Sequence, residues 1–428
     1  MDAFLIRGPS RLTGTLSASG AKNAALPALA ASLLTADPVS IANLPAVADV
    51  RTMEILLRGM GVAIERGSTE RATLRADRIT STEAPYDLVR TMRASILVLG
   101  PLLSRFGEAR VSLPGGCAIG VRPVDLHLAA MEAMGARIAV EKGYIHAHVS
   151  RVSRARGRLA GAQISFSLPT VTGTENVLFA ASLARGRTVI HNAALEPEVV
   201  DTARLLSKMG ARIEGAGTPT ITVEGVESLG GTGDAPHAVV PDRIEAGTFL
   251  AAGAITGGDV TITNARPEDL EAFLDALRPA GVDVATGPSS IRVQRSGPLR
   301  ATDIRTAPHP GFPTDLQAQF LALMTQAEGA SRIVETVFEN RFLHVGELVR
   351  LGADVKLDGH TAVVRGPTAL EGAPVTASDL RASAALVLGG LAGRGETRVR
   401  RIYHLDRGYA RMDERLRSLG ASVERIPG

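Results

Sequence analysis

Cys117 is the single cysteine of this 428-residue chain, and it lies in the glycine-rich run Pro114-Gly115-Gly116-Cys117-Ala118-Ile119-Gly120-Val121-Arg122. Glycines let a backbone approach a ligand closely, and a nearby cation makes a cysteine thiol more reactive. The alternative is a small buried hydrophobe, which is the more common role of an isolated cysteine. Core cysteines usually sit in periodic apolar segments, whereas this one lies in a loop sequence. We therefore favour a thiol that takes part in chemistry.

Cations precede several helix-like segments of the chain, at Lys22, Arg93, Arg341, Arg381 and Arg407. The positive end of the helix dipole disfavours a cation there by about 0.3 to 1 kcal/mol, unless an external anion binds both the side chain and the helix terminus. Each of these residues, taken alone, could equally be a solvated or salt-bridged surface side chain. Their recurrence predicts a multiply charged anionic substrate.

Asp315 ends the run Gly311-Phe312-Pro313-Thr314-Asp315. Like Lys22-Asn23 and Arg381, it directly precedes one of the apolar, alanine-rich segments that recur along the chain. Its carboxylate could cap a helix N-terminus or act in catalysis, and the spacing leaves both readings open. The sequence has no cluster with metal-ligand spacing and no glycine-rich nucleotide motif. The sequence therefore indicates neither metal chemistry nor nucleoside-triphosphate chemistry.

Composition limits the possible classes of protein. With 45% apolar and 21% charged residues the chain is typical of a soluble globular protein of two or three domains. A single cysteine allows no internal disulfide, which favours the cytoplasm. The chain shows neither a signal peptide at its start nor the run of about 18 apolar residues that a membrane span needs. A net charge of +3 and few aromatic residues argue against nucleic-acid binding.

A helix-to-strand signature, apolar-x-x-apolar-Gly-small-x-apolar, occurs six times along the chain. Its glycines are Gly61, Gly135, Gly210, Gly281, Gly352 and Gly420. A glycine directly after the last helical residue is the expected left-handed C-terminal cap, and the β-branched residue beyond it opens a strand. The spacing of about 70 residues predicts six structural repeats.

Each repeat also contains an alanine-rich segment that is apolar on nearly all sides, which is typical of a buried helix. Polar residues introduce these segments: Lys22-Asn23, Arg93, Glu175-Asn176, Glu245, Asp315 and Arg381. We predict an α/β protein of two inside-out domains, each with three βαβαββ repeats around buried central helices. The predicted domains are residues 22–239, and residues 1–21 together with 240–428.

Six motifs, taken together, closely resemble those of the UDP-N-acetylglucosamine 1-carboxyvinyltransferase family of bacterial enolpyruvyl transferases. They are Ser19-Gly20-Ala21-Lys22-Asn23, the Cys117 loop, Phe312-Pro313-Thr314-Asp315, Phe338-Glu339-Asn340-Arg341, Asp379-Leu380-Arg381-Ala382-Ser383 and Asp406-Arg407-Gly408-Tyr409. The resemblance covers essentially the whole chain. It implies two inside-out α/β domains, phosphoenolpyruvate and UDP-N-acetylglucosamine as substrates, no cofactor, and a role at the start of peptidoglycan synthesis.

The resemblance also implies roles for individual residues. The catalytic residues it implies are Cys117, Asp315, Lys22, Asn23 and Arg407. Cys117 matches the general acid, and Asp315 matches the carboxylate that accepts or relays the proton of the sugar hydroxyl. The phosphoenolpyruvate-binding residues are Lys22, Asn23, Arg122 and Arg407. The UDP-N-acetylglucosamine contacts are Asn23, Arg93, Arg122, Pro123, Val124, Asp125, Leu126, Leu168, Pro169, Thr170, Val171, Asp315 and Val337. Arg341 and Arg381 match supporting residues.

One departure from the family concerns the uridine-binding loop, where Thr170-Val171-Thr172-Gly173-Thr174 replaces a common Ser-Val-Gly-Ala-Thr and Leu168 replaces a lysine seen in some members. Two other functions remain open. The shikimate enolpyruvyl transferases share the repeats and the cations but lack the Gly-Gly-Cys loop. A non-catalytic protein that binds an anionic sugar nucleotide would keep the cations, although retention of Cys117, Asp315 and Lys22 together argues against it.

Overall fold

The computed structural model describes residues 2–113, 124–149 and 158–428. Cys117, Arg122 and Pro123 lie outside the described residues. Contacts between backbones divide the described part of the chain into two compact units. We call residues 20–113, 124–149 and 158–240 the first unit, and residues 2–19 together with 241–428 the second unit.

Short strands recur along the whole described part of the chain. In chain order they are β1 (Asp2–Gly8), β2 (Thr13–Ser17), β3 (Val39–Ala42), β4 (Ala63–Ser68), β5 (Arg71–Arg75), β6 (Glu83–Ala84), β7 (Glu108–Ser112), β8 (Ala136–Glu141), β9 (Tyr144–Val149), β10 (Gln163–Ser165), β11 (Arg187–His191), β12 (Arg212–Glu214), β13 (Thr220–Glu224), β14 (His237–Ala238), β15 (Asp259–Thr263), β16 (Asp283–Gly287), β17 (Ser290–Gln294), β18 (Leu299–Arg300), β19 (Ile304–Arg305), β20 (Ala327–Val334), β21 (Asp354–Asp358), β22 (Thr361–Gly366), β23 (Pro374–Thr376), β24 (Gly395–Arg400) and β25 (Ser422–Pro427).

Helices alternate with these strands. The α-helices are α1 (Lys22–Ala31), α2 (Ala48–Gly59), α3 (Tyr86–Val89), α4 (Leu99–Phe106), α5 (Asp125–Ala133), α6 (Val171–Ser182), α7 (Pro197–Lys208), α8 (Arg243–Ile255), α9 (Glu271–Leu277), α10 (Gln317–Met324), α11 (Val345–Arg350), α12 (Leu380–Ala392) and α13 (Met412–Ser418). Short 3-10 helices cover Ser32–Leu34, Arg93–Val98, Pro267–Asp269, Thr314–Leu316 and Ile402–Arg407.

The strands form six sheets, three in each unit. In the first unit their orders are β14-β3-β5-β4, β6-β7-β9-β8 and β10-β11-β13-β12. In the second unit they are β23-β24-β1-β25, β16-β17-β15-β2 and β18-β20-β22-β21, with β19 also pairing with β20. Each of these four-strand orders has one parallel pair at one end and two antiparallel pairs, and β19 adds a second parallel pair with β20.

The repeat is the predicted βαβαββ unit, seen for example in β6, α4, β7, α5, β8 and β9. The most completely buried helices, α1, α4, α6, α8, α10 and α12, are those of the alanine-rich segments. Helices such as α7 and α13 expose a polar face instead. The predicted fold class, with buried central helices and sheets outside them in each unit, is confirmed.

All six signature glycines have a positive φ, between 86° at Gly281 and 105° at Gly210. Five of them lie two residues after the last residue of a partly exposed helix, Gly281 lies four residues after the end of α9, and each precedes a strand. The predicted left-handed position after each helix is therefore confirmed.

The start of α6 lies earlier than the sequence predicted. Since α6 begins at Val171, Glu175 and Asn176 lie inside the helix, and both are buried. Glu245 is likewise a buried residue inside α8 rather than a residue before it. Arg341 precedes α11 as predicted, with a turn between them, and Arg407 precedes α13 but itself ends the 3-10 helix Ile402–Arg407.

We expect Gly210→Ala to lower the free energy of unfolding by about 1 to 3 kcal/mol, because a side chain disfavours its left-handed backbone. No atom lies within 4 Å of the position that its Cβ would occupy, so the effect is one of conformation rather than of crowding. Gly59→Ala is the matched control, since this helical glycine of α2 also has open space around it. It should raise stability by about 0.4 to 1 kcal/mol. Urea unfolding measures both, and equal effects of the two substitutions would contradict the conformational argument.

Candidate active site

Lys22 is the first residue of α1, in the first unit, and its ammonium group is bound by a carboxylate. The Nζ atom donates to Oδ2 of Asp49 at 3.1 Å, and the two side chains are only 13% and 5% exposed. Asp49 lies in the first turn of α2. Asn23, the next residue of α1, is exposed. The ammonium is thus fixed beside the exposed amide of Asn23 at a helix N-terminus. This arrangement is suited to binding an anion.

Arg93 begins the 3-10 helix Arg93–Val98 and is half-buried. The other predicted sugar-nucleotide residues of the first unit lie at two further helix starts. Val124, Asp125 and Leu126 begin α5, and Leu168, Pro169, Thr170 and Val171 lead into α6. Thr170 caps α6, since its Oγ1 accepts from the N–H of Gly173 at 3.2 Å. Leu168 is 68% exposed, which leaves an apolar side chain available for contact at this helix start.

Asn176, which the sequence did not single out as a site residue, joins these three helix starts. Its Nδ2 donates to the carbonyl of Ile96 at 3.0 Å and to Nδ1 of His127 at 2.9 Å, while its Oδ1 accepts from the N–H of Gly100 at 2.8 Å. His127 therefore carries its proton on Nε2, which lies 3.3 Å from Oγ1 of Thr172. Burial lowers the pKa of His127 to about 4, so the ring is neutral near pH 7.

Asp315 lies in the second unit, where it forms two ion pairs with buried guanidinium groups. Its Oδ1 accepts from Arg341 at 2.6 Å, and its Oδ2 accepts from Arg381 at 3.0 Å. The arginine side chains are 4% and 5% exposed, whereas the carboxylate is 25% exposed. The N-cap interpretation of Asp315 is wrong, because Pro313 caps the 3-10 helix and Leu316 precedes α10. One carboxylate between two guanidinium groups leaves a net positive cluster.

Glu335, a second residue missed by the sequence analysis, links Asp315 to the segment that contains Val337. Its Oε2 accepts from the hydroxyl of Thr314 at 2.8 Å, and its Oε1 accepts from the N–H of Val337 at 2.8 Å. Glu335 is 1% exposed, and Val337 is 37% exposed. The buried carboxylate therefore fixes two predicted sugar-nucleotide residues, Asp315 and Val337, relative to each other.

Ionisation in the second unit is set by burial and by these charges. Burial lowers the pKa of Arg381, but Asp315, Tyr409 and Asp242 together outweigh it, and the pKa lies above its ordinary value. Burial also lowers the pKa of His344 to about 4, and the charge of Arg341 adds to the effect against the opposing charge of Asp379. The guanidinium of Arg381 is therefore charged near pH 7, while the imidazole of His344 is neutral.

Other guanidinium groups lie at the carbonyl ends of buried helices. Arg105 donates to the carbonyls of Leu33 and Thr35 beyond α1, at 2.9 and 2.8 Å. Arg295 donates to the carbonyls of Ala254 at 2.6 Å and Ile255 at 3.2 Å, at the end of α8. Cations are favourable at this end of a helix. By contrast, the helix dipole disfavours a cation at a helix N-terminus, such as Lys22. A bound anionic ligand would explain why a cation lies there.

Within residues 2–113, 124–149 and 158–428, no group of three or more His, Cys, Asp or Glu side chains is arranged to hold a metal ion. In that same part of the chain, none of the helices has both the length and the apolar character needed to span a bilayer.

Comparisons with known proteins find related sequences along the whole chain. The family model described as EPSP synthase (3-phosphoshikimate 1-carboxyvinyltransferase) matches residues 6–416. Two curated proteins named UDP-N-acetylglucosamine 1-carboxyvinyltransferase are similar over 100% of both chains: one from Magnetococcus marinus at 55% identity and one from Solibacter usitatus at 56%.

Solved structures show the same fold. The enolpyruvyl transferase NikO from Streptomyces tendae is 29% identical, with a TM-score of 0.88 over 100% of this chain and 99% of that one. EPSP synthase from Acinetobacter baumannii is 18% identical, with a TM-score of 0.75 over 100% of both chains, and supports the fold alone.

Proposed function

The chain belongs to the enolpyruvyl transferase family, and from that membership we propose that it transfers the enolpyruvyl group of phosphoenolpyruvate to the 3-hydroxyl of UDP-N-acetylglucosamine. Phosphate is the second product. The observation behind this choice of acceptor is the identity of 55% and 56% to two full-length proteins of that name. The reaction would be the first committed step of peptidoglycan synthesis, in the cytoplasm.

We propose an addition followed by an elimination. In the addition, Cys117 gives a proton to C3 of phosphoenolpyruvate, and the sugar 3-oxygen attacks C2 while its proton passes to Asp315. The product is a tetrahedral ketal that still carries the phosphate. In the elimination, the thiolate of Cys117 takes a proton back from C3, the C2–O bond to phosphate breaks as the double bond forms, and Asp315 gives its proton to the departing phosphate. No metal or organic cofactor is needed.

The cations explain how a triply charged enol phosphate would be bound. Lys22, Arg122 and Arg407 are proposed to bind phosphoenolpyruvate, with Asn23 beside Lys22. Support comes from Lys22, whose ammonium is held at the N-terminus of α1 by Asp49 while Asn23 is exposed. Charge-assisted contacts of this kind are the strong ones for phosphate and carboxylate groups.

The sugar nucleotide is proposed to contact three helix starts of the first unit, with Arg93, residues 122–126 and residues 168–171. Support comes from the hydrogen bonds of Asn176 and His127, which fix these three helix starts relative to one another. In the second unit, Asp315 and Val337 are proposed to contact the same substrate, with Arg341 and Arg381 in support. The ion pairs at 2.6 and 3.0 Å fix both oxygens of the carboxylate, so it can accept a hydroxyl proton only in a defined direction.

A phosphate-release assay tests the proposal. The purified protein with phosphoenolpyruvate and UDP-N-acetylglucosamine should release one phosphate per enolpyruvyl group transferred, and mass spectrometry should show the enolpyruvyl ether. Shikimate 3-phosphate should give no phosphate above background. Turnover with shikimate 3-phosphate instead would assign the chain to the activity after which the matching family model is named, and binding without turnover would favour the non-catalytic alternative.

A further inference from the structure

We infer that Tyr409 is a positioning residue for the reaction, because its buried hydroxyl orients Arg381 and, through it, the carboxylate of Asp315. This inference rests on the proposed function. Tyr409 is 2% exposed and belongs to the second unit, two residues after Arg407. Its hydroxyl lies among hydrogen-bonding groups of three helices that the chain separates widely, α8, α10 and α12.

The direction of every hydrogen bond around this hydroxyl follows from the number of available hydrogens. Thr248 uses its one hydroxyl hydrogen on the carbonyl of Ile244, at 2.8 Å, so its Oγ1 can only accept from other groups. Arg381, whose side chain carries only N–H donors, lies 3.1 Å from the oxygen of Tyr409, and the donor Nε2 of Gln319 lies 3.3 Å from it. Tyr409 must therefore donate to Thr248, at 2.9 Å, and accept from both Arg381 and Gln319.

The consequence for Arg381 is that two of its nitrogens are fixed. One terminal nitrogen donates to Tyr409, and the other donates to Oδ2 of Asp315 at 3.0 Å. The guanidinium carbon also lies 5.5 Å from the centre of the tyrosine ring. A planar guanidinium held at two nitrogens is restricted in its orientation, and together with Arg341 it sets where the carboxylate of Asp315 points.

Phenylalanine at position 409 would keep the ring and remove the acceptor. The guanidinium could then turn toward other partners, and Asp315 would lose the direction needed to accept a proton. Positioning errors of this kind act on the chemical step more than on substrate binding. We therefore expect Tyr409→Phe to lower kcat by about 10- to 100-fold, the effect of losing one buried hydrogen bond to a charged group.

Steady-state kinetics and substrate binding test this inference with full-length protein. Tyr409→Phe should change the KM and Kd for UDP-N-acetylglucosamine by less than about threefold while kcat falls. Tyr86→Phe is the matched control, because Tyr86 is 52% exposed, and it should leave kcat unchanged. Thermal unfolding of both variants should show that each is folded at the assay temperature.

A double-variant cycle separates positioning from a general structural role. If Tyr409 acts through Arg381, then Tyr409→Phe should change kcat by less than about twofold in an Arg381→Lys background. A kcat of Tyr409→Phe within twofold of wild type, or fully additive effects in the cycle, would overturn the inference and leave the proposed function intact. A wild-type protein that releases no phosphate from the two proposed substrates would overturn both.

Discussion

Asp315→Asn should lower kcat by about 100-fold or more, because an amide cannot accept the proton of the substrate hydroxyl. The KM for phosphoenolpyruvate should change far less. The variant should also be less stable, by about 3 to 5 kcal/mol, since Arg341 and Arg381 lose the negative charge between them. Steady-state kinetics of phosphate release and thermal unfolding measure the two effects separately.

The control for this substitution is Asp275→Asn, which removes an exposed carboxylate paired with Arg278. Exposed ion pairs contribute little to the free energy of unfolding, so both kcat and stability should stay close to wild type. If Asp315→Asn kept a normal kcat and showed only lower stability, the ion pairs would be structural and the proposed role of Asp315 in catalysis would be wrong.

Cys117→Ser should lower kcat by about 100-fold or more, because a hydroxyl is a much weaker acid than a thiol and general acid catalysis contributes on this scale. Cys117→Asp should retain turnover, since a carboxylic acid can also supply a proton. The measurement is phosphate release over a range of pH. This prediction rests on the sequence and on family membership, as Cys117 lies outside the described residues.

The pair of Cys117 variants distinguishes an acid from an obligatory covalent nucleophile. Activity in Cys117→Asp together with loss in Cys117→Ser supports proton donation. Equal activity of Cys117→Ser and wild type would remove Cys117 from the mechanism, and loss of activity in both variants would favour a reaction that needs sulfur itself.

Local signals in the sequence were sufficient for the repeat. Gly210 and its five counterparts mark helix ends because the required backbone conformation strongly favours glycine, which depends on nearest neighbours alone. The buried helices were equally clear, because a segment such as Leu386–Leu391 is apolar on every face. The βαβαββ order follows from these two signals taken together.

Contacts between distant residues were not predictable in this way. The bond from Arg381 to Asp315 joins residues 66 positions apart, and the bond from Tyr409 to Thr248 joins residues 161 apart. A buried Asn176 looks like any polar residue near a helix start until the carbonyl of Ile96 is placed beside it. The error in the start of α6 has the same origin, because burial overrides the low helix propensity of Thr172 and Gly173.

The pairing of β1 with strands near the other end of the sequence has a consequence for folding during synthesis. All strands of the first unit lie between residues 39 and 238, so its sheets can form as soon as that part of the chain has emerged. By contrast, β1 lies between β24 and β25, and Ala3 pairs with Arg400. At roughly 5 to 20 residues per second, β1 waits about 20 to 80 s for its partners. During that interval both edges of an apolar strand are unpaired, and unpaired strand edges can pair with other chains, so β1 is exposed to aggregation.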